Sequence, residues 1–377
     1  MLTSVKIKSL FGLYSYELDF SNRINFVTGP NGFGKTTILN LIEALYSCNF
    51  KYISGVVFDY FEATISNKTK TVISIQQIRE YDEIDDGSDE PRLLKDVHLD
   101  ICMVQDDVVI SKFRYGASDN EAQSSGDIMQ LYMSSLHLTP IRANRCAYSQ
   151  SDTSQVNNAV NDINKQISLC KEIIANELSQ ILTPIVGKAI SEEDYNNEYN
   201  NICQELHKLA EYGFIGNTKQ AYSDANSGFL STYIQVLKNI VNASRIVINK
   251  LNVLQEIVEK CEFSNKILSI KADSGIRFIA KNETKSILYF EQLSSGEQQV
   301  LLLFYELLFK SDIDSLVLID EPELSLHIAW KYLFIENIQN IIGANPQQQY
   351  IIFTHSPSII NNRWDCTNDL FEINTNK

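Results

Sequence analysis

A phosphate-binding loop near the start of the chain constrains the fold more than any other feature of the sequence. A strand-like apolar run at 24–28 leads into a segment of the pattern G-x-x-x-x-G-K-[ST], and apolar residues at helical spacing follow it. Glycines let such a loop curve around phosphates, so that backbone N–H groups and the helix amino end point at the anion. The loop consists of Gly29, Pro30, Asn31, Gly32, Phe33, Gly34, Lys35, Thr36 and Thr37. The sequence therefore predicts a strand–loop–helix unit of an α/β fold.

A long apolar run that ends in acidic residues forms the second motif. Residues 315–319 are typical of a strand buried on both faces, as in a parallel sheet. Asp320 and Glu321 follow at its carboxyl end, where an open α/β sheet places its ligand chemistry. Without a phosphate-binding loop, an acidic strand end at the surface would be the better interpretation. With the loop, we expect Lys35 to reach the β- and γ-phosphates and Thr36 to ligate Mg²⁺. Asp320 is then predicted to hold Mg²⁺ through water, and Glu321 to act as the general base.

A helix start that carries serine and glycine is the third motif, and it introduces the apolar stretch 300–309. Ser294 fits the N-cap position and Glu297 completes a capping box, so helix capping alone would explain the segment. A serine–glycine helix amino end is also an anion site. The motif consists of Ser294, Ser295, Gly296 and Glu297.

A second buried strand that ends in polar residues is the fourth motif. Residues 350–353 are apolar, and Thr354 and His355 follow them. A lone histidine at a strand end is more often structural. Because it comes fourth after the three motifs above, we interpret His355 as a functional residue.

In this order the motifs resemble those of ABC-class ATPases of the SMC-like branch. They are similar in particular to the compact AAA-type ATPase subunits of bacterial anti-phage systems such as Septu and retrons, which are OLD-like ATPases without a Toprim domain. The resemblance is carried by residues 29–37, 293–298, 320–327 and 354–357. It implies an α/β fold, an ABC-type P-loop NTPase head with a mixed sheet flanked by helices. It also implies a helical insertion between the P-loop and the third motif, the signature.

The resemblance further implies roles that the residue patterns leave open. His355 would contact the γ-phosphate, and Ser294 and Gly296 would reach the γ-phosphate held by a second copy. A glutamine that senses Mg²⁺ and the attacking water is expected between the P-loop and the signature, and Gln76 or Gln77 is the candidate. The implied ligands are ATP and Mg²⁺, and the implied assembly is an ATP-dependent homodimer or a higher oligomer.

The motifs divide the chain into three segments. We expect residues 1–150 to form the N-terminal part of the ATPase head, with the P-loop. Residues 151–265 have apolar positions at helical and heptad-like spacing, which predicts a short coiled-coil-like hairpin or bundle. Residues 266–377 are predicted to complete the head. Arg142 and Arg145 follow a strand-like run, and the sequence leaves open whether they lie near the phosphates, at an interface or on the surface.

Charge, hydropathy and cysteine content indicate which partners and which cellular compartment to expect for this chain. The net charge of −15 does not favour autonomous nucleic-acid binding, although an acidic chain can still carry a basic groove. No apolar run approaches the roughly 20 residues that cross a bilayer, so we expect no membrane association. The seven cysteines lack a Cys-x-x-Cys spacing, which predicts reduced thiols in a cytoplasmic protein and excludes a zinc hook.

The expected function is an ATPase that dimerises head to head and controls a separate effector. By resemblance, the effector is a nuclease or toxin in anti-phage defence. Because the sequence ends at Lys377, we expect no Toprim nuclease domain within it. ATP turnover is expected to be slow or gated by a partner. The P-loop of one subunit and the signature of the other must first close around the nucleotide. The alternative is a DNA repair or recombination ATPase. A transporter ATPase subunit and a non-hydrolysing scaffold are less favoured.

Overall fold

The structure is a computed structural model that describes most of the chain. The described residues are 1–81, 94–116, 120–142, 153–180, 188–263, 265–312, 314–324 and 326–375. They fold as two compact units, each built from segments that are distant in sequence. The first unit comprises Met1–Arg145, Ser311–Ser325 and Asn345–Lys377, and the second comprises Cys146–Lys310 and Leu326–Ala344.

A six-stranded antiparallel sheet forms one layer of the first unit, in the order β2-β1-β4-β5-β6-β7. Its strands are β1 (Leu2–Leu10), β2 (Tyr14–Asp19), β4 (Tyr60–Ser66), β5 (Lys70–Tyr81), β6 (Leu94–Gln105) and β7 (Val108–Tyr115). Apolar residues alternate along β4 and β5, so one face of the sheet is buried. This face contributes to a hydrophobic cluster that also contains the apolar residues of the first helix.

The strands that precede the P-loop, the acidic motif and His355 belong to a five-stranded parallel sheet. Its strand order is β14-β3-β13-β12-β8. Its strands are β3 (Ile24–Thr28), β8 (Leu138–Arg142), β12 (Leu316–Asp320), β13 (Gln349–Phe353) and β14 (Thr367–Asp369). The first four residues of β12 and all of β13 are buried, as expected for strands covered on both faces. The two sheets and their helices confirm the mixed α/β fold.

One buried amide joins the two sheets. Gln349, the first residue of β13, donates from Nε2 to the carbonyl oxygens of Leu2 and Phe20, both at 2.7 Å. Its Oε1 accepts from the Leu2 N–H at 2.9 Å. The helices of this unit are α1 (Lys35–Tyr46), α2 (Phe50–Gly55), α3 (Asn120–Ser134), α9 (Pro357–Ile360) and α10 (Leu370–Thr375).

The second unit is mainly helical and contains a small antiparallel sheet in the order β11-β10-β9. Its strands are β9 (Lys266–Lys271), β10 (Gly275–Ala280) and β11 (Ile287–Leu288). Its helices are α4 (Thr153–Ser179), α5 (Glu192–Glu211), α6 (Ser227–Lys260), α7 (Ser295–Tyr305) and α8 (Ile328–Ala344). Helix α7 continues into a π-helical turn over Glu306–Lys310.

The apolar ladder of the middle segment lies on α6, and most of its side chains are buried, including Leu230, Leu237 and Leu254. Helix α6 packs against both α4 and α5. The predicted helices are therefore present, whereas coiled-coil packing stays a prediction. The three-segment division also stays a prediction. Its first boundary lies outside the described residues, and residues 266–310 belong to the second unit. Among the helices that the structure describes, none is long and apolar enough to cross a membrane.

Candidate nucleotide-binding site

Residues 29–34 of the P-loop motif connect β3 to α1, and residues 35–37 form the first turn of this helix. Gly34 is the N-cap of α1 and has φ 88°, a left-handed conformation that favours glycine. A Cβ atom at this position would lie 2.8 Å from Leu10 Cδ2, so a larger residue would also clash. No side chain caps the start of α1. The N–H groups of its first turn can therefore bind an anion.

Lys35 is the first residue of α1 and is buried. Its Nζ donates to the carbonyl oxygens of Gly29 at 2.8 Å and Pro30 at 3.0 Å, so the side chain folds back over the loop. Burial lowers the pKa of the ammonium group, and nearby carboxylates oppose this shift. These carboxylates belong to Glu321, Asp320, Glu323 and Asp369.

Aromatic residues support the P-loop from the antiparallel sheet and from α10. The hydroxyl of Tyr16 on β2 donates to the carbonyl oxygen of Phe33 at 2.8 Å. The Phe33 ring stacks on Tyr14 at 5.1 Å and lies 5.9 Å from Phe371, measured between ring centroids. These contacts are not evident from the sequence, because the alternation along β2 indicates a strand but not what its tyrosines touch.

The carboxyl ends of the parallel strands bring the predicted acidic residue to one edge. Asp320 ends β12 and pairs in register with Phe353 on one side and Arg142 on the other. Burial raises the pKa of the Asp320 carboxyl, and the charge of Glu321 raises it further. The charges of Arg142 and Lys35 lower it. Asp320 is thus a half-buried carboxylate that experiences charges of both signs.

Glu321 and His355 lie together at the same edge. His355 Nε2 is 3.2 Å from Glu321 Oε1, and both side chains are about one third exposed. Glu321 has φ 48°, an uncommon backbone conformation for a residue with a Cβ. Its N–H donates to the Phe353 carbonyl oxygen at 2.8 Å, which anchors this conformation to β13. Strained residues of this kind cluster at functional sites.

Glu323 positions the segment that carries His355. Its Oε1 accepts from the His355 N–H at 2.7 Å and from the Thr354 hydroxyl at 2.8 Å. One carboxylate therefore links the turn after β12 to the turn after β13. This role of Glu323 is not evident from the sequence. The feature of the sequence that points to Glu323 is its position two residues after Glu321 in the acidic motif.

The residues at this edge fit a magnesium ion. Asp320 Oδ1 is buried and has no hydrogen-bond partner among the described residues. The exposed Thr36 lies in the first turn of α1. In the described part of the chain, no three His, Cys, Asp or Glu side chains form a metal-binding group. Mg²⁺ does not need one, because it usually binds one or two protein ligands together with substrate phosphates and water.

The signature residues lie at the start of α7, in the second unit. The predicted capping box is present. Ser294 Oγ accepts from the Glu297 N–H at 3.3 Å, and Glu297 Oε2 accepts from the Ser294 N–H at 2.7 Å. Ser294 and Ser295 are exposed. A Cβ atom at Gly296 would lie 3.3 Å from the Trp330 ring, so packing favours glycine there.

Glu297 is buried and also forms an ion pair. Lys266 Nζ on β9 donates to both of its carboxylate oxygens, at 2.9 and 3.1 Å. The carboxylate thus holds the helix start and the small sheet together. The sequence indicated the capping role of Glu297. It did not indicate the ion pair with Lys266, because this lysine is distant in sequence.

The two candidate glutamines lie on β5 of the antiparallel sheet. The Gln77 side chain donates to the carbonyl oxygens of Ser54 and Val56 and accepts from the Phe58 N–H, so it holds the turn before β4. Gln76 is exposed on the same strand and pairs with Tyr60 of β4. These contacts account for Gln77 structurally. A sensor role for either glutamine stays a prediction that this geometry does not support.

The fold and the site together define a P-loop nucleotide-binding protein. The sequence matches the AAA ATPase domain family over residues 1–360. The chain therefore belongs to this family of ATPases.

A curated relative covers nearly the whole chain. The Septu protein PtuA of Bacillus thuringiensis is 24% identical over 376 residues, which cover 96% of this chain and 73% of the relative. This chain is thus similar to a protein of a Septu system.

Two solved structures of SMC head domains are also similar. The Smc head of Pyrococcus furiosus, with an extended coiled coil and bound to the C-terminal domain of ScpA, has a TM-score of 0.39 and 15% identity, and the match covers 96% of this chain and 91% of that one. The SMC head of Thermotoga maritima has a TM-score of 0.42 and 10% identity, with 97% and 92% covered.

The bonds of Glu323 lead to a prediction about stability. Glu323→Ala leaves the His355 N–H and the Thr354 hydroxyl without their acceptor, which should lower the free energy of unfolding by about 1–3 kcal/mol. Urea unfolding followed by circular dichroism measures this change. Glu17→Ala is the control, since its carboxylate contacts Lys6 on the surface, and it should unfold like the wild type. Equal midpoints for Glu323→Ala and the wild type would contradict the positioning role.

Proposed function

We propose that this chain binds ATP at the P-loop and hydrolyses it with the acidic edge of the parallel sheet. The observation that carries the proposal is the meeting of separate sequence motifs at this edge. Lys35 lies within electrostatic reach of Asp320, Glu321 and Glu323, and His355 lies 3.2 Å from Glu321. A cation for phosphate, a carboxylate for metal and a carboxylate for proton transfer are the groups that ATP hydrolysis needs.

In this proposal each residue performs one task. The first turn of α1 and Lys35 hold the phosphates. Glu321 accepts a proton from the attacking water, and His355 orients the Glu321 carboxylate and faces the terminal phosphate. Thr36 and Asp320 would hold Mg²⁺, which would neutralise part of the phosphate charge. Turnover depends mainly on positioning, so a slow or partner-gated rate is expected.

The proposed active form is an ATP-dependent head-to-head homodimer or a higher oligomer that contains it. The exposed amino end of α7 supports this part of the proposal. Ser294 Oγ is used in the capping box, whereas Ser295 is exposed in the first turn. The first-turn N–H groups of a helix attract anions. We propose that they face the γ-phosphate bound by the partner subunit.

The first test replaces the proposed general base. Glu321→Gln keeps the size of the side chain but lowers its basicity, so ATP turnover should fall at least about 100-fold, as for loss of a general base. ATP–Mg²⁺ should still bind, and the variant should accumulate as an ATP-dependent dimer. Phosphate release and mass in solution, each measured with and without ATP–Mg²⁺, check this.

The matched control is Glu283→Gln, an exposed glutamate in the second unit, which should behave like the wild type. Wild-type turnover in Glu321→Gln would remove Glu321 from the proposed mechanism. Absence of ATP binding and turnover in the wild type would refute the ATPase proposal as a whole.

A mixing experiment tests the dimer. Lys35→Ala removes the phosphate cation, and Ser295→Arg blocks the signature end but keeps the Ser294 cap. Each variant alone should be inactive. Mixed in equal amounts, they form hybrids with one intact composite site, so about a quarter of the wild-type turnover should return. If each site were built within one chain, the mixture would stay as inactive as its components.

We further propose that the nucleotide state controls a separate effector, a nuclease or toxin, in anti-phage defence in the cytoplasm. The similarity to the Septu protein PtuA supports the defence role. The cysteines that the structure describes are free thiols, which fits a reducing compartment. DNA repair remains the alternative class.

Phage infection tests the defence role. The gene expressed together with its natural neighbours should reduce the number of plaques, and Lys35→Ala should abolish this protection, because the effector would no longer be controlled. Plaque counts on matched strains measure it. No protection by the wild-type cluster, or full protection by the variant, would count against the defence proposal.

A further inference from the structure

Arg142 ends β8, the strand at one border of the parallel sheet, next to the strand that carries Asp320. In the ladder between β8 and β12, Arg142 is the register partner of Asp320. Residues paired in this way project to the same side of a sheet. Both residues end parallel strands, so Arg142 lies at the same carboxyl edge of the sheet as Asp320.

The guanidinium of Arg142 also reaches the helix that follows the P-loop. Its Nη2 donates to Asn40 Oδ1 at 2.5 Å and to the Glu43 carboxylate. Asn40 and Glu43 lie on α1, whose first residue is Lys35. The Arg142 and Glu43 side chains are only 25% and 29% exposed, so solvent screens this ion pair less than one on the open surface.

Arg142 thus combines a contact with a charge effect. The contact fixes the end of β8 to α1, and the planar guanidinium suits two acceptors at once better than a lysine ammonium does. The charges of Arg142 and Lys35 lower the pKa of the Asp320 carboxyl, whereas the charge of Glu321 raises it. Glu43 partly neutralises the charge of Arg142.

We propose that Arg142 is a positioning residue of the nucleotide site, which ties β8 to the P-loop helix and places a cation beside the carboxylate that would hold Mg²⁺. This inference rests on the proposed function and adds to it a residue and a dependence on metal concentration. The positive charge of Arg142 repels Mg²⁺ and so weakens its binding. The contacts of Arg142 with α1 keep β8 and α1 aligned.

The proposal predicts opposite shifts for two variants that break the same ion pair. Arg142→Gln removes the cation, so half-maximal binding of a fluorescent ATP analogue should need at least about threefold less Mg²⁺. Glu43→Gln leaves the cation without its neutralising partner, so at least about threefold more Mg²⁺ should be needed. Both variants should hydrolyse ATP more slowly at saturating Mg²⁺, because α1 is no longer tied to β8.

Two further variants separate charge from geometry. Arg142→Lys keeps the charge and should need the same Mg²⁺ as the wild type, with reduced turnover. The double variant Arg142→Gln/Glu43→Gln restores the charge balance and should need nearly the wild-type Mg²⁺ concentration. Arg114→Gln, which breaks the exposed pair with Asp100, is the control and should change neither quantity.

The outcomes distinguish this inference from the proposed function. A merely structural lesion would weaken binding in both ion-pair variants, and such parallel shifts would overturn the proposal, as would wild-type behaviour of Arg142→Gln. If the wild type binds the analogue without hydrolysing it, the Mg²⁺ titrations still decide the role of Arg142. If the wild type binds no analogue at all, the proposed function fails and this inference fails with it.

Discussion

The alignment of the parallel strands at their carboxyl ends is the constraint on which the site depends. Strands β3, β8, β12 and β13 are each five residues long and pair in register. Burial on both faces excludes polar side chains from the body of β12, so its first carboxylate appears where the strand leaves the core. The position of Asp320 thus follows from hydrogen-bond register and burial rather than from loop conformation.

A cluster of carboxylates at such an edge is costly to form. Like charges oppose one another, burial disfavours the ionised form of Asp320, and Glu321 has an unfavourable backbone conformation. The surrounding contacts compensate. Lys35 and Arg142 supply positive charge, and the Glu321 N–H bonds to β13. The site therefore stores strain and repulsion that the rest of the sheet holds in place.

The sequence predicted the parts of the site that are local in the chain. The P-loop, the strand before Asp320 and the Ser294–Glu297 capping box each lie within a few residues, and each has its own pattern. Tyr16, Arg142 and Lys266 act through partners distant in sequence, which no local pattern specifies. The spacing around Gln77 correctly indicated a strand. Its amide is bound by a turn more than twenty residues away, which only the folded chain reveals.

The junction made by Gln349 has a consequence for the chemical ageing of the protein. Its amide donates to two carbonyl oxygens and accepts from one N–H, so both ends of the amide are used. Deamidation would turn this residue into glutamate, which cannot donate when ionised and would set a negative charge against those carbonyl oxygens. Glutamine is among the thermally labile residues. Prolonged heating would therefore loosen the attachment between the sheets through covalent damage at one buried atom, while leaving the hydrogen bonds within each sheet intact.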